Sequence, residues 1–104
     1  MYYDRSGKPI TTHEWCKRLE SERRVALTEL EPDTRVSTVW LGLEHGSDSD
    51  GLPLIFETMV FRGKDSWSDV DSNRYATEEQ ARAGHAEMVR VWTERGKVAA
   101  EVQP

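Results

Sequence analysis

The two stretches of sequence that decide the fold are TRVSTVWLGL, residues 34–43, and PLIFETMVF, residues 53–61. Both are rich in β-branched and aromatic residues, which is typical of strands. The segment between them, EHGSDSDG at residues 44–51, is made of polar and turn-forming residues and predicts a loop. We therefore expect these stretches to form two antiparallel strands at the centre of a sheet.

The flanking segments complete an α+β pattern. Residues 25–30 predict a further strand, and residues 1–10 predict a short strand or an extended arm. Thr11–Glu14 and Thr77–Gln80 predict the starts of two helices, because Thr caps free amides while Glu or Gln reaches back. The predicted order is (β)-α-β-β-β-α. It indicates a two-layer sandwich, in which two helices pack on an antiparallel sheet of three to four strands.

The spacing of apolar residues indicates which side of each helix is buried. The first helix is predicted to end near Arg23 and to bury Trp15, Cys16 and Leu19, so we expect Cys16 to be a packed thiol. The second is predicted to end near Arg95. Its buried side repeats at intervals of three and four residues: Ala81, Gly84, His85, Met88 and Trp92.

Length and composition indicate one small domain. The chain has 104 residues, of which 37% are hydrophobic and 32% are charged. This is enough for a single core. We expect the domain to cover residues 1–95, with a polar loop at 62–73 and a frayed tail at 96–104. No segment approaches the roughly 20 apolar residues of a membrane-spanning helix, so we expect no membrane partner.

The charge distribution argues against direct binding of nucleic acid. The net charge is −5, and the basic pairs Lys17–Arg18 and Arg23–Arg24 are interleaved with glutamates, whereas phosphate binding requires clustered basic residues. Cys16 is the only cysteine, so no internal disulfide can form. The first residues lack the apolar core of a secretory signal, and we expect a cytoplasmic protein.

The two central strands carry apolar residues on both faces. Leu54, Phe56 and Val60 alternate with Ile55 and Met59, whereas a sheet covered on one side alternates apolar with polar residues. If both helices pack on one face, the other face presents an apolar surface, and such surfaces mark interaction sites. We therefore expect self-association, such as a homodimer, or a protein partner. Alternatively, one helix covers each face, or the N-terminal arm and the loop around Trp67 cover the second.

Three side chains are candidates for chemistry. Glu57 lies in mid-strand among apolar residues, His85 lies on the buried side of the last helix, and His45 follows a strand. A carboxylate against an imidazole can act as a general base or hold a metal. The alternatives are structural: His85 hydrogen-bonds with Glu57 in the core, His45 is solvated, or Glu57 forms an ion pair with Arg35, Arg74 or Arg82. No metal-binding spacing and no nucleotide-binding glycine pattern occurs, so we expect no cofactor and no metal.

Tryptophans and acidic residues are the candidates for partner contacts. Trp67 lies between Asp65 and Asp69 in a polar segment, and Trp40 lies on a central strand. Tryptophan is enriched in binding hot spots, so these four residues are the predicted contact residues. The alternative for Trp67 is that it packs back over a sheet edge.

Three blocks in order resemble a known family. They are VSTVWLGLEH at 36–45, PLIFETMVF at 53–61 and RYATEEQARAGH at 74–85. The resemblance covers about residues 35 to 90 and is to a family of small uncharacterised proteins encoded by actinobacteria and by the phages that infect them. It implies an accessory protein of a phage or prophage genome, in the host cytoplasm, and implies no particular activity.

Three hypotheses about function follow. The first is a non-catalytic accessory protein that binds a host or phage protein. The second is a small metal-dependent or general-base enzyme that uses His45, Glu57 and His85. The third is a structural homo-oligomer, such as a virion or assembly component.

Overall fold

The computed structural model describes the backbone of residues 1–63 and 68–102 and the side chains of residues 1–63 and 68–97. Its elements in chain order are β1 (Tyr2–Tyr3), β2 (Pro9–Ile10), α1 (Thr12–Glu22), β3 (Arg24–Leu30), β4 (Thr34–Trp40), β5 (Phe56–Arg62), β6 (Asp69–Tyr75) and α2 (Glu78–Val102). β1 and β2 form a small antiparallel hairpin, and β3–β4–β5–β6 form a four-stranded antiparallel sheet with sequential order. The predicted α+β class is confirmed.

Both helices begin at the predicted caps. Glu14 donates its backbone N–H to Thr11 Oγ1 at 3.1 Å. At the second helix, Gln80 donates its backbone N–H to Thr77 Oγ1, and Gln80 Oε1 accepts from the backbone N–H of Thr77, both at 3.2 Å. Each cap satisfies amides that have no partner within the helix. The threonine spacing in the sequence therefore located both helix starts.

The predicted end of the second helix is wrong. α2 does not stop near Arg95 but continues to Val102, through most of the segment expected to be a frayed tail. The residues after Gly96 include Lys, Ala and Glu, which are strong helix formers, and no proline interrupts them before the helix ends.

The predicted loop at 62–73 is also wrong in its second half, because Asp69–Tyr75 is the fourth strand. This strand has the sequence DVDSNRY, which has low strand propensity. It lies at the edge of the sheet and is mostly exposed, so polar side chains are tolerated there, and its backbone pairs with β5 from Phe56↔Tyr75 to Phe61↔Asp69. Tertiary pairing, rather than local preference, makes this segment a strand.

The core lies between one face of the sheet and α2. Among the α2 side chains that the structure describes, Ala81, His85 and Trp92 are buried, and the other two predicted positions, Gly84 and Met88, are half-buried. The buried side chains pack against alternate residues of β4 and β5, all of them without exposed surface: Val36, Thr38, Trp40, Phe56, Thr58 and Val60. The Trp92 indole N–H donates to Asp71 Oδ2 at 3.1 Å, which joins the helix to the edge strand. α2 therefore covers most of this face, and Tyr3 and Trp15 pack against its end at Trp40.

α1 packs at one end of the sheet. Trp15 and Leu19 contact the core cluster around Trp40, and the Trp15 indole N–H donates to the carbonyl of Leu41 at 2.9 Å. The predicted burial of Cys16 is wrong, because its side chain is exposed. α1 contacts the core cluster through Trp15 and Leu19, and Cys16, next to Trp15, lies on the exposed side of the helix.

Candidate protein-binding surface

The face of the sheet opposite α2 is only partly covered: Val39 is buried at 8% exposure, whereas Met59 and Phe61 are half-buried. Residues that alternate with the core residues point to this side, and they include Val39, Met59 and Phe61. Together with Leu19 of α1 they form the apolar floor of a groove of about 1030 Å³ between the end of α1 and the sheet. Leu27, next to this groove on β3, is 41% exposed. We call this region the open-face groove. Its apolar floor agrees with the two-sided pattern of the central strands.

The charged residues that line the open-face groove have a positive net charge, unlike the chain as a whole. Arg23, Arg24 and Glu20 line it, which gives a local charge of +1 in a chain with a net charge of −5. Both arginines are exposed, and neither forms an ion pair within residues 1–63 and 68–97. Arg35 lies over the Phe61 ring, with its guanidinium carbon 5.3 Å from the ring centre. The groove thus combines an apolar floor with cationic groups.

Glu57 forms a structural ion pair on the same open face. Arg74 Nε donates to Glu57 Oε2 at 2.8 Å across the β5–β6 pair. Glu57 has 13% of its side chain exposed and Arg74 has 47%, so the pair is partly solvated and contributes modestly to stability. This is one of the alternatives that the sequence left open, and Arg74 is the partner among the three that were considered.

His85 lies on the opposite side of the sheet in a network of threonine hydroxyls. Its Nδ1 shares a hydrogen bond with Thr38 Oγ1 at 2.7 Å, and its Nε2 shares one with Thr28 Oγ1 at 2.8 Å. Thr38 Oγ1 in turn shares a hydrogen bond of 2.6 Å with Thr58 Oγ1. The network spans β3, β4 and β5 and contains no carboxylate. Burial lowers the pKa of His85 below its ordinary value.

We expect this burial to make the protein less stable in mild acid. The unfolded chain protonates His85 near pH 6.5, whereas the folded chain resists protonation, so the free energy of unfolding falls as the pH drops below about 6.5. The slope is at most about 1.4 kcal/mol per pH unit. Urea denaturation between pH 7.5 and pH 5 measures it.

The matched control for this measurement is His13→Gln, which removes an exposed histidine of α1 and leaves the slope in place. His85→Gln removes most of it. An equal slope in wild type and His85→Gln contradicts the assignment to His85. The chosen range lies above pH 5, so that the lowered pKa of Glu78, which is hydrogen-bonded to Arg5, contributes little.

The three residues predicted for catalysis are not brought together. Val39 pairs with Glu57 on the open face, whereas His85 contacts Thr38 on the covered face, so the sheet separates the two side chains. The contact between Glu57 and His85, which the sequence left open, is therefore not formed. His45 lies in the loop after β4, where its backbone N–H donates to Leu54 O at 3.0 Å. In the part of the chain that the structure describes, no three His, Cys, Asp or Glu side chains are grouped to hold a metal ion.

The structure places the predicted partner-contact residues in different environments. Trp40 has no exposed surface, and its indole N–H donates to Tyr3 O at 3.2 Å, so it is a core residue and its assignment as a contact residue is wrong. Asp69 is exposed at the start of β6. Asp65 and Trp67 lie outside the described residues. The apolar residues of β4 correctly predicted a strand. They do not indicate which face α2 covers, and that decides whether Trp40 is buried.

The residues that sequence reasoning missed are those contributed by the α1–β3 junction. Arg23, Arg24 and Leu19 line the open-face groove although each lies far in sequence from Met59 and Phe61. One signal was available in the sequence, namely two adjacent arginines at the start of a strand in an acidic chain. Their position beside the apolar floor depends on the packing of α1.

Comparison of the chain with protein families, with characterised proteins and with solved structures gave no match. Neither helix of the described chain is both long and apolar enough to cross a membrane. What the chain can do is therefore inferred from its own geometry.

Proposed function

We propose that this protein is a non-catalytic binding module whose open-face groove holds an apolar segment of another protein that also carries an acidic residue. The observation that carries the proposal is the groove itself, with a floor of Leu19, Val39, Met59 and Phe61 and two arginines at its side. The resemblance to proteins of actinobacteria and their phages supports a host or phage protein in the cytoplasm as the partner.

The apolar floor supplies the attraction for a protein segment. Met59 and Phe61 are half-buried and Leu27 is exposed, so each has apolar surface that a partner can remove from water. Removal of apolar surface contributes about 25 cal/mol per Å². Methionine and an aromatic ring are also side chains that adapt to a partner and are enriched in interfaces.

The charges select the occupant. Arg23 and Arg24 have no carboxylate partner within the described chain, and a segment bearing Asp or Glu would supply one beside the apolar floor. Opposite charges across an interface increase the association rate and fix the orientation of the partner. A purely basic segment would be repelled by the same arginines.

The experiment is selection from a random peptide library against the wild-type protein, followed by affinity measurements on the enriched peptides. We expect peptides that combine two or more apolar residues with Asp or Glu. Met59→Lys is expected to abolish their binding, and Arg24→Glu is expected to weaken it about tenfold, in line with the loss of a charge-assisted contact.

Leu52→Lys is the matched control, because Leu52 is 47% exposed but lies outside the open-face groove. Circular dichroism confirms that each variant is folded. Failure to enrich any peptide contradicts the proposal. Enriched peptides whose affinity is unchanged in both Met59→Lys and Arg24→Glu place the binding elsewhere and contradict it as well.

A further inference from the structure

The two edges of the four-stranded sheet are treated differently. β3 and β6 are the edge strands, and each has one row of backbone N–H and C=O groups that no neighbouring strand pairs. Such edges promote pairing with another chain unless they are blocked. In this protein one edge is blocked and the other is open.

The edge at β6 is blocked by its own side chains. The backbone N–H of Ser72 donates to Asp71 Oδ1 at 3.0 Å, and that of Arg74 donates to Asn73 Oδ1 at 2.9 Å. A register shift between Val60 and Phe61 also interrupts the regular pairing with β5. A strand that approaches this edge finds occupied donors and a distorted ladder.

The edge at β3 is open over its regular part. The backbone N–H of Trp40 donates to the carbonyl oxygen of Arg23. Alternate residues of β4 therefore form the hydrogen bonds to β3, and their partners Ala26, Thr28 and Leu30 direct their backbone N–H and C=O groups toward β4. The N–H and C=O groups of Leu27 and Glu29 therefore point outward. No hydrogen bond to these outward groups exists within the described chain.

The sequence along this edge is complementary to itself. Arg23 and Arg24 stand at its start, Glu29 and Glu31 stand at its end, and all four are exposed without an ion-pair partner among the described side chains. An antiparallel second copy places the arginines of each chain beside the glutamates of the other. A parallel copy would align like charges. The charges thus favour one partner in one orientation.

We propose that the protein forms a homodimer in which β3 pairs with β3 of a second copy, antiparallel and about a twofold axis at Thr28. Leu27 of each copy then lies opposite Glu29 of the other, and the outward N–H and C=O groups of both residues are satisfied in four hydrogen bonds. The register shift between Arg24 and Ala26 lies outside this paired segment. The result is a continuous eight-stranded sheet.

This arrangement leaves the floor of the open-face groove accessible, while the arginines at its side face the second copy. The axis is perpendicular to the sheet, so both copies of α2 lie on one face and both grooves lie on the other. The floor residues Met59 and Phe61 lie two strands away from the dimer contact. Met59→Lys therefore tests the floor of the groove without touching the dimer contact, whereas Arg23, Arg24 and Leu27 border both surfaces.

The experiment measures the mass of the whole chain by sedimentation equilibrium over a range of concentrations. We expect wild type to shift from monomer to dimer with concentration. Leu27→Glu places a carboxylate opposite Glu29 of the second copy in both halves of the interface, and we expect it to raise the dimer dissociation constant about tenfold or more. The double variant Leu27→Glu with Glu29→Lys turns each repulsive pair into an attractive one and is expected to restore the dimer.

Val70→Glu is the control at the blocked edge, since Val70 is 50% exposed on β6, and we expect the wild-type mass from it. A wild-type monomer at every concentration overturns the proposal. A dimer that Leu27→Glu leaves intact also overturns it, because the contact then lies elsewhere. A double variant that is folded and monomeric overturns it as well, because that result rejects this register.

Discussion

Replacement of Trp40 by alanine is expected to lower the free energy of unfolding by about 3–5 kcal/mol. Trp40 has no exposed surface and packs among Ile55, Phe56, Tyr75 and Ala81. Removal of the indole leaves a cavity that the surrounding strands and helix cannot fill, because interiors are closely packed. It also leaves the carbonyl of Tyr3 without the indole N–H that now donates to it.

Urea denaturation at pH 7.5 measures this loss. Leu52→Ala is the control, because it removes an apolar side chain that is 47% exposed, and its effect is expected to stay within about 0.5 kcal/mol. A loss of less than about 1 kcal/mol in Trp40→Ala contradicts the placement of this indole in the core.

Replacement of Gly42 by alanine is expected to cost about 2–5 kcal/mol, from two sources. Gly42 has φ +68°, a left-handed conformation that L-residues with a Cβ adopt only at a cost of about 1–2 kcal/mol. An added Cβ would also lie 2.6 Å from Trp15 Cδ1 and 2.6 Å from Trp40 Cζ2. Both are atoms of rigid indole rings, so α1 or the end of β4 must shift.

Gly51→Ala separates these two sources. Gly51 has φ +81°, but nothing lies within 4 Å of its added Cβ, so only the conformational cost of about 1–2 kcal/mol applies. We expect the Gly42 variant to be less stable than the Gly51 variant by about 1–3 kcal/mol in the same denaturation experiment. Equal losses in the two variants contradict the close approach of the two indoles.

Local signals in the sequence were sufficient for most of the secondary structure. The capping threonines at positions 11 and 77 located both helix starts, because a cap acts through hydrogen bonds within one turn. β4 and β5 were found because their composition alone favours a strand. β6 was missed because the sequence DVDSNRY forms a strand only through its pairing with β5.

The candidate site was predicted only in outline. Apolar residues on both faces of β4 and β5 indicated a surface beyond the core, and the structure has such a surface in Met59 and Phe61, next to the buried Val39. The individual residues were not predictable, since Trp40 and Val39 are neighbours of similar character and differ only in the face to which they point. The arginines that line the groove depend on where α1 packs.

The sequence by itself determined the α+β class, the two helix starts, the central strands and the apolar surplus on both of their faces. These features depend on composition, periodicity and caps, which act over a few residues. Only the tertiary structure decided that α2 covers one face alone, that Glu57 and His85 are separated by the sheet, and that the β3 edge stays open while β6 is blocked. The physical reason is that each of these features depends on contacts between residues distant in sequence, which local composition and periodicity do not specify.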